Sequence, residues 1–390
     1  MEYNNFLGAQ VSALGMGNMR LPSIGEGRGG KIDIEKAREM VEYAMAHGIN
    51  YFDTAYVYHA GESESFTGDV LCNYPRDSYY LATKFPGHMM RYEKGKLFAM
   101  DDAEKTTPIP PAQIFETQLQ RCKVDYFDFY MLHNVNETSY EMYTDEELGI
   151  VDYLVEQKKL GRIRRLGFSA HGRTETLEKL INWRDCFEFA QIQLNYLDWV
   201  LQDAKRKYEM LTQRNIPIIV MEPVRGGALT TITPQGDAML KAARPTASIV
   251  SWAFAFLQGL PNIKVILSGM STMEQLQENI ALFDDPKPTT QEEDELLLQA
   301  VATMADLVPC TGCRYCCDTC PAELDIPKLI TMYNETISSP HFSLNFALNA
   351  MKPEELPSAC IACGLCTTLC PQGIEIPEVL AQYAQRLAQK

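Results

Sequence analysis

No stretch of this 390-residue chain is long and apolar enough to suggest a membrane span. The nearest, Ala247 to Leu257, is about half of the ~20 residues that a bilayer requires. The opening residues, Met1-Glu2-Tyr3-Asn4-Asn5, lack the basic start of a secretory leader, so a cytoplasmic location is expected. Positive charge is also scarce. Thirty-five Lys and Arg face 51 Asp and Glu, a formal net charge of -16 that would repel phosphate backbones and anionic lipid surfaces. Nucleic acid and membrane are therefore poor partners. Low-complexity and collagen-like tracts are missing too, and a 46% hydrophobic, 22% charged composition belongs to ordinary globular domains. At well over twice a typical domain of roughly 150 residues, the chain has room for one large barrel with an appendage, or for two domains.

Twelve cysteines without an export signal should be reduced, which argues against a disulfide framework. Their placement points elsewhere. Cys310, Cys313, Cys316 and Cys320 precede Pro321, and Cys360, Cys363, Cys366 and Cys370 precede Pro371, so both stretches read CxxCxxCxxxCP. This is the bacterial ferredoxin spacing for 4Fe-4S clusters. A tight loop turns three thiolates toward three corners of one cube, and the fourth cysteine, leaving the loop ahead of a proline, reaches the other cube. The spacing thus predicts crossed ligation: Cys310, Cys313, Cys316 and Cys370 around one cluster, Cys360, Cys363, Cys366 and Cys320 around the other. Zinc sites more often use separated CxxC pairs, so zinc is the weaker reading. Cys317 falls out of phase, its counterpart in the second run being Thr367, and is expected to be a packed thiol.

The duplication extends past the ligands, since CPAELDIPKLI is echoed by CPQGIEIPEVL. Helices are expected in the spacer over Lys328 to Thr336 and Ser343 to Met351. Residues 291–390 resemble the helical ferredoxin domains of multi-cluster electron-transfer subunits. The same segment holds 13 acids and 5 bases, half of the chain's negative excess. A solvated surface accounts for that, and so does a docking face for a basic redox partner; charge alone does not choose.

Before residue 291, short apolar runs alternate with amphipathic stretches, the pattern of a parallel sheet wrapped by helices. Strands are expected at Ala13 to Met16, Asn50 to Asp53, Tyr79 to Lys84, Phe127 to His133, Arg165 to Ser169, Phe189 to Leu194, Pro217 to Glu222 and Lys264 to Ser268. Helices are expected near Ile34 to His47, Glu62 to Cys72, Pro111 to Cys122, Asp145 to Leu160, Glu175 to Trp183, Gln202 to Arg214, Thr246 to Leu257 and Met273 to Phe283. Eight such pairs point to a (β/α)8 TIM barrel, with a doubly wound open sheet as the alternative. The fold class is α/β: a barrel over 1–290, then a small, mainly helical ferredoxin-like domain with two clusters over 291–390. Barrel chemistry gathers at the carboxyl ends of the strands. Those ends here carry Asp53, Lys84 and His133, and Tyr58 follows Asp53 in the same loop.

At these residues the chain resembles the aldo-keto reductase superfamily, over essentially residues 1 to 285. The motifs that carry the resemblance are FDTAYVYHAGESE, LATK, DYFDFYMLH, GRIRRLGFSAHG, QIQLNY and GMSTMEQLQEN. The resemblance implies a nicotinamide cofactor, NADP or NAD, across the barrel mouth without a Rossmann domain. It also implies a catalytic tetrad of Asp53, Tyr58, Lys84 and His133. Reducing a carbonyl needs hydride at carbon and a proton at oxygen, and a phenol of pKa ~10 gives its proton reluctantly unless polarised. Lys84 would lower the Tyr58 pKa, Asp53 would anchor the ammonium, and His133 would orient the substrate oxygen. Tyr56 is the competing phenol.

The same resemblance places Ser169, Gln191 and Asn195 around the nicotinamide, and Glu222, Pro223, Arg225, Gly226 and Gly227 along the diphosphate. Ala170 departs from the Asn that often follows the family's Ser. Gly269, Gln275, Glu278 and Asn279 fall at the adenosine end. Neither Gly269 nor Gln275 offers a cation to a 2'-phosphate, so weak selectivity or a preference for NAD is expected. His171 either lines the pocket or caps a turn.

A nicotinamide gives two electrons as a hydride, whereas a 4Fe-4S cluster passes one at a time. A flavin is the usual adaptor; no flavin motif is recognisable, and a flavin cofactor stays open. Three functions follow. One is an NAD(P)H-dependent oxidoreductase acting on a small carbonyl or alcohol, whose clusters exchange electrons with the site or with a redox partner protein. The second is a reductase whose clusters only stabilise the fold. The third is an electron-transfer or partner-binding protein without hydride chemistry, against which the intact tetrad argues.

Overall fold

A computed structural model describes residues 1–25, 31–100, 104, 106–304, 307–308, 310, 312–317, 319–338 and 342–389. An N-terminal hairpin, β1 (Tyr3–Phe6) and β2 (Ala9–Ser12), leads into barrel strands β3 (Leu14–Gly17), β4 (Tyr51–Asp53), β5 (Tyr80–Phe85) and β6 (Phe127–Val135). The barrel continues with β7 (Ile163–Ala170), β8 (Phe189–Gln193), β9 (Ile218–Met221) and β10 (Ile263–Ser268). Each strand pairs in parallel with the next, and β10 returns to β3, so the sheet is closed. All nine residues of β6 are buried, because one side of the strand faces the barrel interior and the other faces the helices. That double burial is why the strands read as continuous apolar runs.

The outer layer comprises α1 (Ile34–Ala46), α2 (Glu62–Leu71), α3 (Pro111–Cys122), α4 (Ile150–Lys159), α5 (Thr174–Trp183) and α6 (Ala204–Gln213). Then come α7 (Pro234–Ala243), α8 (Ile249–Gln258) and α9 (Met273–Asp284). Asp33 and Thr272 begin α1 and α9 by accepting the amides of Lys36 and Gln275, caps typically worth ~1 kcal/mol each. The β1–β2 hairpin and α7 go beyond the expected elements. The hairpin floors the barrel: Phe6 stacks on Phe129 at 4.7 Å and meets Phe189 edge-on at 5.7 Å.

Helix α10 (Gln291–Ala302) starts with a capping box between Thr290 and Glu293. Its Leu297, Ala300 and Val301 join the barrel core, so a boundary at 290 cuts ahead of a helix that shares the core of the first domain. A second core lies beyond it, built on α11 (Ile326–Ser338), α12 (Ser343–Ala350) and α13 (Ile376–Ala388) around Leu329, Ile330, Met332, Leu344 and Leu380.

The two cores meet through buried charge. Glu335 on α11, fully shielded from solvent, accepts from Arg173 Nη2 and Gln202 Nε2, each at 3.0 Å. Arg173 follows β7 and Gln202 follows β8, both beyond the carboxyl ends of their strands, so the helical domain sits beside the barrel mouth. Removing one partner of such a pair strands the other charge. Glu335→Ala is therefore expected to cost about 3–5 kcal/mol and to split a separate low-temperature transition from the melting profile in scanning calorimetry.

Candidate functional site

Four predicted residues converge at the mouth from three neighbouring strands. Asp53 ends β4, Lys84 lies in β5 and His133 in β6, while Tyr58 opens the turn after β4. Lys84 Nζ donates to Asp53 Oδ1 at 2.5 Å and to the Thr54 carbonyl at 2.8 Å. It also hydrogen-bonds the Tyr58 phenol and lies 4.9 Å from the centre of that ring. The Tyr58 and His133 rings meet edge to face at 5.7 Å. Tyr56 turns elsewhere, with its ring under the Arg121 guanidinium at 4.3 Å, so the geometry separates the two phenols.

The electrostatics refine the expectation for Tyr58. Desolvation pushes its pKa up, and the neighbouring Lys84 pulls it down by less, so the net direction is upward rather than downward. Burial opposes the charge on Lys84, but Asp53 and Tyr58 together outweigh it and hold the ammonium protonated. Burial, with His88, Lys84 and His171 nearby, pushes His133 well below the ordinary histidine range. It is therefore a neutral imidazole.

Two of those neighbours enlarge the site. His88, in the loop after β5, packs its ring 4.3 Å from that of His133 and hydrogen-bonds the His133 backbone; burial pushes it down to about 4. No spacing pattern in the loop marks it. His171 has its ring 5.4 Å from Phe342 of the helical domain and lies close enough to disfavour charge on His133.

The cofactor candidates divide by how they are already engaged. Ser169 Oγ accepts the Asn134 amide at 2.7 Å. Gln191 Oε1 is buried without a hydrogen-bond partner among the described residues. Asn195 is spoken for: Nδ2 donates to Asp198 Oδ2 and the Glu222 carbonyl, and Oδ1 accepts the amides of Leu197 and Asp198. Glu222 has φ 56, Arg225 φ 47, Gly226 φ 65 and Gly227 φ 96, which bends the loop beyond Pro223 over the mouth. Nothing lies within 4 Å of where a Gly227 Cβ would stand, so that backbone is open to a ligand.

Arg225 is the strongest sign of an anion site. Its side chain is 2% exposed, with Nε 3.5 Å from Asp198 Oδ1, yet Nε, Nη1 and Nη2 are all buried without a hydrogen bond among the described residues. A buried guanidinium with idle donors is costly unless a ligand meets them. A dinucleotide diphosphate fits that donor set.

At the adenosine end, Gln275 Oε1 accepts the Ser271 amide, Glu278 accepts from Ser248, and Asn279 donates to Ser268 Oγ. Gly269 is crossed by the stem of Arg20: a Cβ there would meet Arg20 Cδ at 2.9 Å, and Ser271 Oγ donates to the Arg20 carbonyl. The Arg20 side chain thus runs beside Gly269, which the reading from Gly269 and Gln275 did not include. Arg20 arrives from the far end of the sequence, where local spacing gives no hint of it.

In the helical domain the two cysteine runs exchange their fourth members. One small cavity is lined by Cys320, Cys360, Cys363 and Cys366. The other is lined by Cys310, Cys313, Cys316 and Cys370. Both runs loop the same way, with left-handed residues at Gly312 and Arg314 and again at Ala362 and Gly364. The Gly312 and Ala362 amides point at the sulfurs of Cys310 and Cys360. Four thiols with inward amides around each cavity suit a 4Fe-4S cube. Cys317 lines neither cavity.

Comparison with known proteins agrees. The aldo/keto reductase family model matches residues 13–295, and a 4Fe-4S dicluster domain model matches residues 309–375. An NADH-specific methylglyoxal reductase from Escherichia coli is 26% identical, across 70% of this chain and 90% of the relative. L-galactose dehydrogenase from Arabidopsis thaliana is 24% identical, across 74% and 89%. An aldo-keto reductase from Bacillus halodurans in its holo form superposes with a TM-score of 0.57 at 24% identity, covering 75% of this chain and 93% of that one. One from Klebsiella pneumoniae in complex with NADPH gives 0.55 at 21%, covering 76% and 94%. At these identities the solved structures speak for the fold alone. With the closed barrel and a family model spanning most of its length in agreement, the chain belongs to the aldo/keto reductase family and carries a 4Fe-4S dicluster domain after its barrel.

Proposed function

We propose that the chain is a cytoplasmic, nicotinamide-dependent oxidoreductase that reduces a small carbonyl compound. In this reading its helical domain, beginning after α10, holds two 4Fe-4S clusters that exchange electrons with the barrel site or with a partner protein. The meeting of Tyr58, Lys84, Asp53 and His133 at one mouth carries the reading. The E. coli relative's name supports a small 2-oxoaldehyde as the first substrate to try.

Bound nicotinamide dinucleotide supplies the hydride. Arg225 would meet its diphosphate, while Gln191 Oε1 and the Ser169 hydroxyl would hold the carboxamide. His133, neutral, donates to the substrate oxygen and fixes its direction. Tyr58 gives that oxygen its proton as charge develops there, and the Lys84 ammonium steadies the phenolate left behind. Asp53 keeps Lys84 in place. The raised Tyr58 pKa means that the resting protein already carries the proton that reduction consumes. Each set of four cysteines would hold a cluster whose chemistry is one-electron exchange.

An anaerobic titration with NADH and NADPH, followed by visible absorbance and EPR, tests the whole reading. Rapid loss of cluster absorbance supports electron exchange; carbonyl turnover with the clusters unmoved would reduce them to a scaffold. Cofactor preference has its own test. Arg20→Ala is expected to weaken NADP binding about tenfold while changing NAD binding less than about twofold, since it removes a charge-assisted contact to the 2'-phosphate alone. Nicotinamide fluorescence titrations read both affinities, and equal losses would remove Arg20 from this role.

A further inference from the structure

Among the described residues, the cysteine runs expose four large apolar side chains, Tyr315 at 59%, Ile361 at 66%, Leu365 at 49% and Leu369 at 42%; Ile361 lines the cavity built on Cys320 and Cys360, and Leu369 the other. Single exposed apolar residues are unremarkable by themselves; one at the mouth of a candidate redox site gains weight from the charge around it. Cys313 and Cys363, the middle members of the two triplets, are exposed as well. The two cavities differ in the charge around them. Arg314 lines the one built on Cys310 and Cys370, and its head, paired with Asp325 at 3.1 Å, is exposed. The one built on Cys320 and Cys360 is lined by Pro321, Ala322, Leu324, Ile361 and Pro377. Exposed Glu323 stands between two of these lining residues, and exposed Glu378 follows Pro377. That mouth is an apolar centre inside a carboxylate rim.

We propose that the mouth of the Cys320/Cys360 cavity is the docking face for a one-electron carrier protein whose own apolar centre is ringed by lysine and arginine. The proposal rests on the reading that the clusters exchange electrons with a partner. Opposite rims steer the two proteins together and set their orientation, and the chain's net charge of -16 adds long-range attraction for a basic partner. A second copy of this chain would bring the same carboxylates against Glu323 and Glu378, so like charge opposes self-association through this face. The acidic C-terminal segment thereby acquires a purpose beyond solubility.

The test uses the cluster-loaded full chain, a lysine-ringed cytochrome c as probe and an acidic flavodoxin as the opposite-charge control. Binding is measured by calorimetry at low and moderate salt, independently of any turnover. The cytochrome is expected to bind, and to bind more weakly as salt rises. The Glu323→Lys, Glu378→Lys double variant is expected to weaken it by about tenfold or more. Ile361→Ser is expected to weaken binding without changing its salt dependence. Iron content and carbonyl reduction should be unchanged in the double glutamate variant, and Ile361→Ser is compared at equal iron content. Failure of the cytochrome to bind, equal binding of the flavodoxin, indifference to both variants, or dimerisation abolished by Ile361→Ser would each overturn the proposal. Cytochrome binding that persists while the nicotinamide titration leaves the clusters unmoved would instead count against the functional reading and leave the docking face standing.

Discussion

Tyr58→Phe is expected to lower turnover of an accepted carbonyl substrate by about a hundredfold or more, some 2.7 kcal/mol of transition-state stabilisation. The substitution removes one hydroxyl and leaves the ring. The edge contact with His133 at 5.7 Å and the Lys84 ammonium 4.9 Å from the ring centre both survive, so fold and cofactor site should be unaltered. Affinity for the nicotinamide cofactor, read by fluorescence, should stay within about twofold of wild type, because the lost proton matters only once charge develops on the substrate oxygen. Tyr56 is badly placed to substitute, with its ring held under Arg121. Near wild-type kcat in the variant would show that the proton comes from elsewhere and would remove the main support for hydride chemistry at this mouth.

Cys320→Ala should empty the more distant cysteine run rather than its own. Cys320 lines the cavity of Cys360, Cys363 and Cys366, so iron is expected to fall from about eight to about four atoms per chain, with the cube at Cys310 retained. Because each run lends a cysteine to the lining of the other's cavity, the loss should also loosen the helical domain, visible as faster amide exchange in α13. Cys317→Ala should change neither iron content nor EPR signal, since Cys317 lines neither cavity. Loss of the cube at Cys310, or one zinc ion per site, would refute crossed ligation.

The barrel was legible because its strands are buried on both sides and its helices on one, so the two periodicities alternate plainly along the chain. The site was legible where chemistry demands residue types at strand ends, as for Asp53, Lys84 and His133. The β1–β2 hairpin escaped notice because two four-residue strands around Gly8 carry too little pattern, and Phe6 becomes intelligible only against Phe129 and Phe189. A boundary at 290 places the segment of α10 with the tail because its acidic start, Glu292 to Glu295, matches the tail's composition, whereas Leu297 and Val301 pack in the barrel core. His88 and Arg20 lacked any signal, being brought to the site by loops whose course is set by tertiary packing. For Tyr58, the sequence indicated the neighbour that lowers its pKa but not the desolvation that outweighs it.

The exchange of fourth cysteines also sets an order of events during synthesis. Cys316 emerges 54 residues before Cys370, and at ~5–20 residues per second the first triplet waits about three to eleven seconds for its last ligand. A cube delivered in that interval would have an open iron corner facing solvent. The second triplet has the opposite history, since Cys320 precedes it and its set is complete as soon as Cys366 appears. Maturation is therefore expected to begin at the later run and to finish at the earlier one, with the barrel already made when the first iron arrives.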